Sequence, residues 1–120
     1  MTVDELTTKI KSSPETVEFD EVIDCIDEHF EYTPTLFTNG RGHDQVVNQA
    51  GSNEGSCKIF AFATLHGLNE EQTLACFGRY YREDVLPNPE GSDHPNIRTF
   101  MRQGWHGIQF ERTALHPRAD

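Results

Sequence analysis

Chemically useful side chains are concentrated in one stretch of the chain, residues 48–58. This stretch is polar and punctuated by glycine, and it leads directly into the apolar segment 59–65. An apolar helix of this kind belongs in a protein core, and the N–H groups of its first turn have no intrahelical partners. Free donors would therefore lie beside amides, a carboxylate and a thiol. The pattern is typical of a functional site, and it is equally typical of a well-capped core helix.

Cys57 is the candidate nucleophile. Its place in the first turn of a helix, next to Lys58, is expected to favour the thiolate. His66 lies nine positions further on, about 13 Å along the same helix, so the base would have to be His94. With Asn53 or backbone N–H groups as oxyanion donors, this set predicts a thiol-dependent hydrolase or transferase. The alternative is that the thiol points into the core as a small apolar group.

A binding pocket without chemistry is the preferred interpretation of the polar residues. All of the candidates lie at predicted helix starts or at a strand end: Asn48, Asn53, Glu54, Ser56, Asp93, His94, Asn96 and Arg98. If two helix N-termini face one cleft, their N–H groups would bind an anion or another small ligand, with Arg98 as a clamp for a carboxylate or phosphate. The alternative is that Asn53 and Ser56 cap one helix while Arg98 pairs with an acid such as Asp84.

A metal site was weighed on the same residues. Glu54, Asp93 and His94 offer oxygen and nitrogen donors suited to a cation. The chain lacks the ligand spacings of known metal motifs, and both acids are explained as first-turn residues that the helix dipole favours. We therefore predict no metal and no cofactor.

Hydrophobic periodicity and turn residues predict the elements that position these candidates. Helices are expected over 3–11, 15–31, 54–66, from Asn69 towards Leu86, and from Asp93 to Gly104. Short strands are expected near 35–38, 44–48 and 107–111. Met101 is expected to face the core from the last helix. The fold class that follows is α+β, with about five helices packed on a small antiparallel sheet.

A single domain is expected for a chain of 120 residues. It divides into acidic N-terminal helices over 3–31, a core region over 35–111 that holds the candidate site residues, and a tail over 113–120 that is expected to be frayed. No repeat, linker or low-complexity block interrupts it.

The net charge of −10 is unevenly distributed, because residues 1–34 hold ten of the twenty acids and only two of the ten basic residues. Such a surface repels phosphate backbones, so we predict no nucleic-acid partner. A protein partner with a basic surface, or a small ligand, fits the charge better. The sequence leaves the oligomeric state open.

The compartment is predicted from what the chain lacks. Its three cysteines have no CxxC spacing, which argues against a disulfide framework. No apolar run reaches the roughly 18 residues of a membrane span, and the N-terminus lacks the features of a secretory signal. We therefore expect a cytoplasmic protein with no membrane partner.

A series of motifs between residues 46 and 110 resembles the HopJ type III effector family. The motifs are Val46-Val47-Asn48, Asn53-Glu54-Gly55-Ser56-Cys57-Lys58, Phe77-Gly78, Tyr81-Arg82, Asp84-Val85-Leu86, Asp93-His94, Asn96-Ile97-Arg98 and Gly104-Trp105. The resemblance implies a small bacterial protein, and the family name implies secretion through a type III system without naming a biochemical activity. The clustering of polar residues at helix starts, rather than the resemblance, favours a binding module for a protein or small ligand over the thiol enzyme.

Overall fold

Helices make up most of the computed structural model, which describes residues 1–118. The α-helices in this part of the chain are α1 (Val3–Ser12), α2 (Phe19–His29), α3 (Glu54–Leu65), α4 (Glu70–Ala75) and α5 (Pro95–Gln103). A π-helical segment, Tyr80–Val85, lies between α4 and α5. The strands are β1 (Phe30–Tyr32), β2 (Phe37–Asn39), β3 (Val46–Asn48), β4 (Gln109–Phe110) and β5 (Leu115–Pro117).

The strands form two small antiparallel sheets. One has the order β3-β2-β4, with Phe37 opposite both Asn48 and Phe110. The other pairs β1 with β5, so that Tyr32 lies opposite Leu115. The predicted α+β class is confirmed, and the three predicted strand regions each overlap a strand of the first sheet.

The apolar helix α3 lies at the centre of the core, as its sequence predicts. Ile59, Phe60, Phe62 and Ala63 are fully buried on successive faces of the helix. The ring centroid of Phe60 lies 5.0 Å from that of Phe100 and 5.6 Å from that of Phe77. Because a helix that is apolar all round must be covered on every side, α3 fixes where the surrounding elements pack.

Side chains close the N-termini of three helices. Each pair below contains a backbone N–H that donates to the side chain of a residue three positions away, which satisfies a donor that has no intrahelical acceptor. The pairs are Thr2 with Glu5 in α1, Glu18 with Glu21 in α2, and Asn69 with Gln72 in α4.

Three local expectations are wrong. The acidic helix predicted over 15–31 begins at Phe19 after a 3₁₀ turn and ends at His29, because Phe30–Tyr32 leaves it to pair with β5. The tail expected to be frayed forms that strand, with Leu115 buried, although residues 119–120 lie outside the described part. Met101 is 42% exposed and does not face the core.

No helix in residues 1–118 combines the length and the apolar character that a bilayer span requires.

Candidate functional site

The polar start of α3 and the start of α5 meet at one cavity of about 310 Å³. Polar residues from the two helix starts line it: Asn53, Gly55, Ser56, His94 and Asn96. Its apolar wall consists of Phe19, Phe77, Tyr80, Pro95 and Ile97. The sequence predicts both helix starts, and the packing of α5 beside α3 brings them together.

Both helix starts at this cavity lack a side-chain cap. The residues before the helices, Asn53 and His94, adopt left-handed conformations with φ of 51° and 50°, and neither side chain caps its helix. Within residues 1–118, the backbone N–H groups of Gly55, Ser56, Asn96 and Ile97 have no hydrogen-bond acceptor, although all four residues line the cavity. The predicted capping of α3 by Asn53 is therefore wrong, and the N-termini of α3 and α5 are left open.

A cluster of four amides, buried except for Asn53, holds the two helix starts against the sheet. Asn96 Nδ2 donates to Asn48 Oδ1 over 2.9 Å, and Asn53 Nδ2 donates to the same oxygen over 2.7 Å. Asn39 Nδ2 and Asn48 Nδ2 each lie 3.1 Å from Asn96 Oδ1, which accepts from both. The cluster joins β2 and β3 to α3 and α5, so it sets the spacing of the two N-termini.

Asn39 is the member of this cluster that the sequence candidates missed. It precedes Gly40, and Asn-Gly is the usual signature of a turn, which hides a structural role for the amide. Asn39 is instead the last residue of β2, fully buried, and its Nδ2 also donates to the Asn96 backbone carbonyl over 2.8 Å.

Aromatic rings form the opposite wall of the cavity. The Phe19 and Tyr80 rings meet edge to face with centroids 5.1 Å apart, and the Tyr80 ring lies 5.3 Å from the His94 ring. The Phe19 ring can lie against the first turn of α3 because residue 55 is glycine. A Cβ there would lie 2.7 Å from Phe19 Cζ. A glycine in the first turn of α3 thus admits the first residue of α2 to the cavity wall.

Arg98 does not line the cavity, and the expectation that it clamps a ligand is wrong. Its side chain is only 8% exposed, and its donors are already occupied by the loop before α5. Nε donates to the Asp93 carbonyl over 2.6 Å, Nη1 to the Asn88 carbonyl over 2.8 Å, and Nη2 to Asp93 Oδ1 over 2.5 Å. The hydrogen bond from Arg98 holds the pKa of Asp93 below its ordinary value. Arg98 does pair with an acid, but with Asp93 rather than Asp84.

A comparison with protein families gives a match over nearly the whole chain. Residues 3–115 match the family model described as HopJ type III effector protein. This chain belongs to the HopJ family. It is also similar to a protein of unknown function, VPA0580, whose crystal structure superposes with a TM-score of 0.93 at 50% sequence identity, covering 98% of this chain and 95% of that one. The comparison with curated proteins gives no match.

Cys57 of this HopJ chain is sealed in the core. The side chain is 1% exposed and is not among the residues that line the cavity with His94. Burial raises the pKa of its thiol, and the neighbouring Tyr32 and Thr35 offset this only in part. The expected thiolate is therefore wrong, because desolvation outweighs the helix N-terminus. The alternative interpretation of Cys57, a small apolar core group, matches the structure, and a Cys57–His94 nucleophile and base pair has no geometric support.

The residues weighed as metal ligands separate into two places. Asp84, Asp93 and His94 have ligand atoms within 4.8 Å of one another, while Glu54 is exposed beside the Tyr32 hydroxyl. His94 Nε2 lies 3.0 Å from Asp84 Oδ2, and Asp93 is bound by Arg98. These pairings account for the cluster as a hydrogen-bonded link between the start of α5 and the π-helical segment. The absence of a metal remains a prediction.

Proposed function

We propose that this HopJ protein is a binding module and that its site is the cavity between the starts of α3 and α5. The observation that carries the proposal is the group of four backbone N–H donors, at Gly55, Ser56, Asn96 and Ile97, that border a cavity with aromatic walls and have no acceptor within residues 1–118. Donors of this kind need a partner, which is water in the free protein and a ligand in the complex.

The size of the cavity supports a small ligand rather than a protein segment. Small-molecule sites in proteins usually measure about 300–1,000 Å³ and combine apolar walls with a few placed polar groups. At about 310 Å³, this cavity lies at the lower end of that range. It also has the expected composition, with three aromatic rings facing two helix starts.

The other helices supply a second line of support. A capping side chain contributes about 0.5–2 kcal/mol to stability. A side chain accepts from a first-turn N–H at α1 and α4, where no ligand is proposed, and no side chain does so at α3 and α5. The missing caps at the two helix starts that face the cavity are consistent with a functional demand on their N–H groups.

A fragment screen read by amide resonances tests the proposal. Compounds are added to the ¹⁵N-labelled protein and to two variants of α3, Ser56→Leu at the cavity and Thr64→Leu on the exposed side. We expect ligands that shift the amide signals of Gly55, Ser56, Asn96 and Ile97 in the parent protein and in Thr64→Leu. These ligands should bind Ser56→Leu at least tenfold more weakly. A screen in which no compound moves those signals, or in which Ser56→Leu binds equally well, would overturn the proposal.

A protein partner with a basic surface is a second proposal, and it concerns a different part of the molecule. The exposed acids of α2 lie on its outer face, where Asp27 pairs with Lys58 and Glu28 stays open to solvent. Capture experiments that compare the parent protein with a variant carrying Asp24→Asn and Glu28→Gln test it. Partner capture that survives both substitutions unchanged would argue against this surface.

We also propose, from the family description, that the protein is made in the bacterial cytoplasm and is a substrate of a type III secretion system. Residues 1–20 fused to a reporter should then be exported by a strain with a working type III apparatus. Equal retention of the reporter in that strain and in a strain without the apparatus would contradict this proposal.

A further inference from the structure

We infer that the ligand of the cavity is a small organic acid with an apolar body, its carboxylate at the helix starts and its body against Phe19, Phe77 and Tyr80. The inference rests on the proposed function and adds the chemical class of the ligand. It is carried by three properties of the cavity: the charge of its lining, the balance of donors and acceptors, and its size.

The first property is that no acidic side chain, lysine or arginine lines the cavity and determines which ligand charge it prefers. Its described lining contains no Asp, Glu, Lys or Arg. The two helix N-termini therefore dominate the local field, each equivalent to roughly half a positive charge, or about one unit together. An ammonium group placed between them would meet like polarity, whereas a carboxylate would meet opposite polarity.

The acids nearest the cavity have partners outside it or lie outside its lining. Asp93 is neutralised by Arg98, and Asp84 is hydrogen-bonded to His94. Glu54, although it begins α3, lies beside the Tyr32 hydroxyl and is not part of the lining. Glu18 and Asp20, which flank Phe19 in the chain, are exposed to solvent, which screens their charges. The net charge of −10 therefore does not decide what the cavity binds.

The second property is a set of unpaired donors at the cavity. Besides the four backbone N–H groups, the buried side chain of Asn96, 4% exposed, has a donor left over. Its Oδ1 already accepts from Asn39 and Asn48, and its Nδ2 gives one hydrogen to Asn48. A primary amide carries two N–H donors, so the second hydrogen has no acceptor within residues 1–118. A ligand group that only accepts hydrogen bonds, as a carboxylate does, matches this set.

The third property is size. A volume of about 310 Å³ corresponds to roughly ten water molecules, at about 30 Å³ each in the liquid. An inorganic anion alone would leave most of that space, and the three rings, in contact with water. A carboxylate joined to a body of about one aromatic ring fills both the polar and the apolar part.

Three compounds with the same body and different head groups test the inference: 3-phenylpropionate, 3-phenylpropanamide and 3-phenylpropylamine. Dissociation constants are measured by titration of the cavity amide signals. We expect the acid to bind at least tenfold more tightly than the amide, and the amine to shift no cavity signal. Amide or amine binding at the cavity as tight as that of the acid would overturn the ligand class while leaving the binding module in place.

A matched pair of variants locates the carboxylate. Ser56→Asp puts an acid at the start of α3, where the helix dipole favours it and the fold is retained, and Ser56→Asn is its neutral counterpart. Acid binding should weaken at least tenfold in Ser56→Asp relative to Ser56→Asn, with amide binding equal in the two. Equal acid binding in both variants would contradict the placement. If none of the three compounds binds while the fragment screen finds other cavity ligands, the class is wrong; if that screen also fails, the proposed function falls as well.

Discussion

Ser56 and Cys57 are adjacent in the first turn of α3 and lie in opposite environments. Ser56 borders a cavity between two uncapped helix starts, whereas Cys57 is sealed beside Tyr32 and Thr35. Consecutive side chains on an α-helix point about 100° apart, so Ser56 can line the cavity while Cys57, the next residue, packs in the core. The comparison teaches that a chemically rich stretch identifies a helix start but not which of its faces is functional.

The largest expected effect on stability comes from the buried face of α3, at the centre of the helix. Phe60→Ala should lower the free energy of unfolding by about 3–5 kcal/mol, because it empties a fully buried ring site among Phe37, Phe77 and Phe100. Urea unfolding measures the change. Leu65→Ala, at an exposed position of the same helix, should stay within about 0.5 kcal/mol of the parent protein. Similar losses in the two variants would mean that α3 does not organise the core.

The next effect concerns the polar support of the cavity. Asn96→Ala should cost roughly 1–3 kcal/mol, because Asn39 and Asn48 lose their hydrogen bonds to the Asn96 side chain and keep only those to the Asn96 carbonyl, to Asn53 and to strand carbonyls. Asn88→Ala, which removes only an exposed bond to the Asp84 carbonyl, is the control and should be close to neutral. A loss below about 0.5 kcal/mol for Asn96→Ala would show that water replaces the amide, as on an ordinary surface.

Substitutions at Cys57 and Ser56 should have effects on stability no larger than that of Asn96→Ala, and the two effects should differ. Cys57→Ser should destabilise the protein by about 1–3 kcal/mol, because it buries a hydroxyl in place of a weakly polar thiol. Ser56→Ala should change stability by less than about 0.5 kcal/mol. Thermal and urea unfolding of both variants measure the difference. Equal values would remove the distinction between the two faces.

The smallest effect is a pH dependence at the far end of α3. Burial lowers the pKa of His66, whose Nε2 is enclosed between the Phe30 and Phe62 rings without a partner within residues 1–118. The unfolded chain then binds the proton more readily than the folded one, so stability is lost as the pH falls below the unfolded value of about 6.5.

His66→Gln, which does not titrate, provides the measurement. The urea midpoint of the parent protein should fall between pH 7.5 and pH 5.5, roughly the two sides of the ordinary histidine pKa, and it should fall less in His66→Gln. An equal fall in both proteins would assign the acid sensitivity to groups other than His66.

The local features of the fold could be predicted from the sequence, and the pairings over long distances could not. The apolar run 59–65 and the helix start at Asn69 are predicted from neighbouring residues, and α3 and α4 confirm both. The strand Phe30–Tyr32 depends on a partner more than eighty residues away, so helical periodicity wrongly extended α2 across it.

The same limit applies to the site. That residues 53–56 and 93–96 begin helices was readable, but their meeting at one cavity depends on how α5 packs beside α3. Arg98 was misassigned because a charged residue in a first turn looks available until the loop that wraps its guanidinium is known. Asn39 was missed because burial, rather than residue type, separates a network amide from a turn amide.

The contact between Phe19 and Gly55 has a consequence for how the family varies. A methyl group at position 55 would collide with the ring, and a Cβ at Gly78 would lie 2.6 Å from the Phe19 backbone nitrogen. Two glycines from separate parts of the chain thus fix the place of one aromatic residue. In homologues, a residue larger than glycine at position 55 should be accompanied by a smaller side chain at position 19, so that these two positions evolve as a pair.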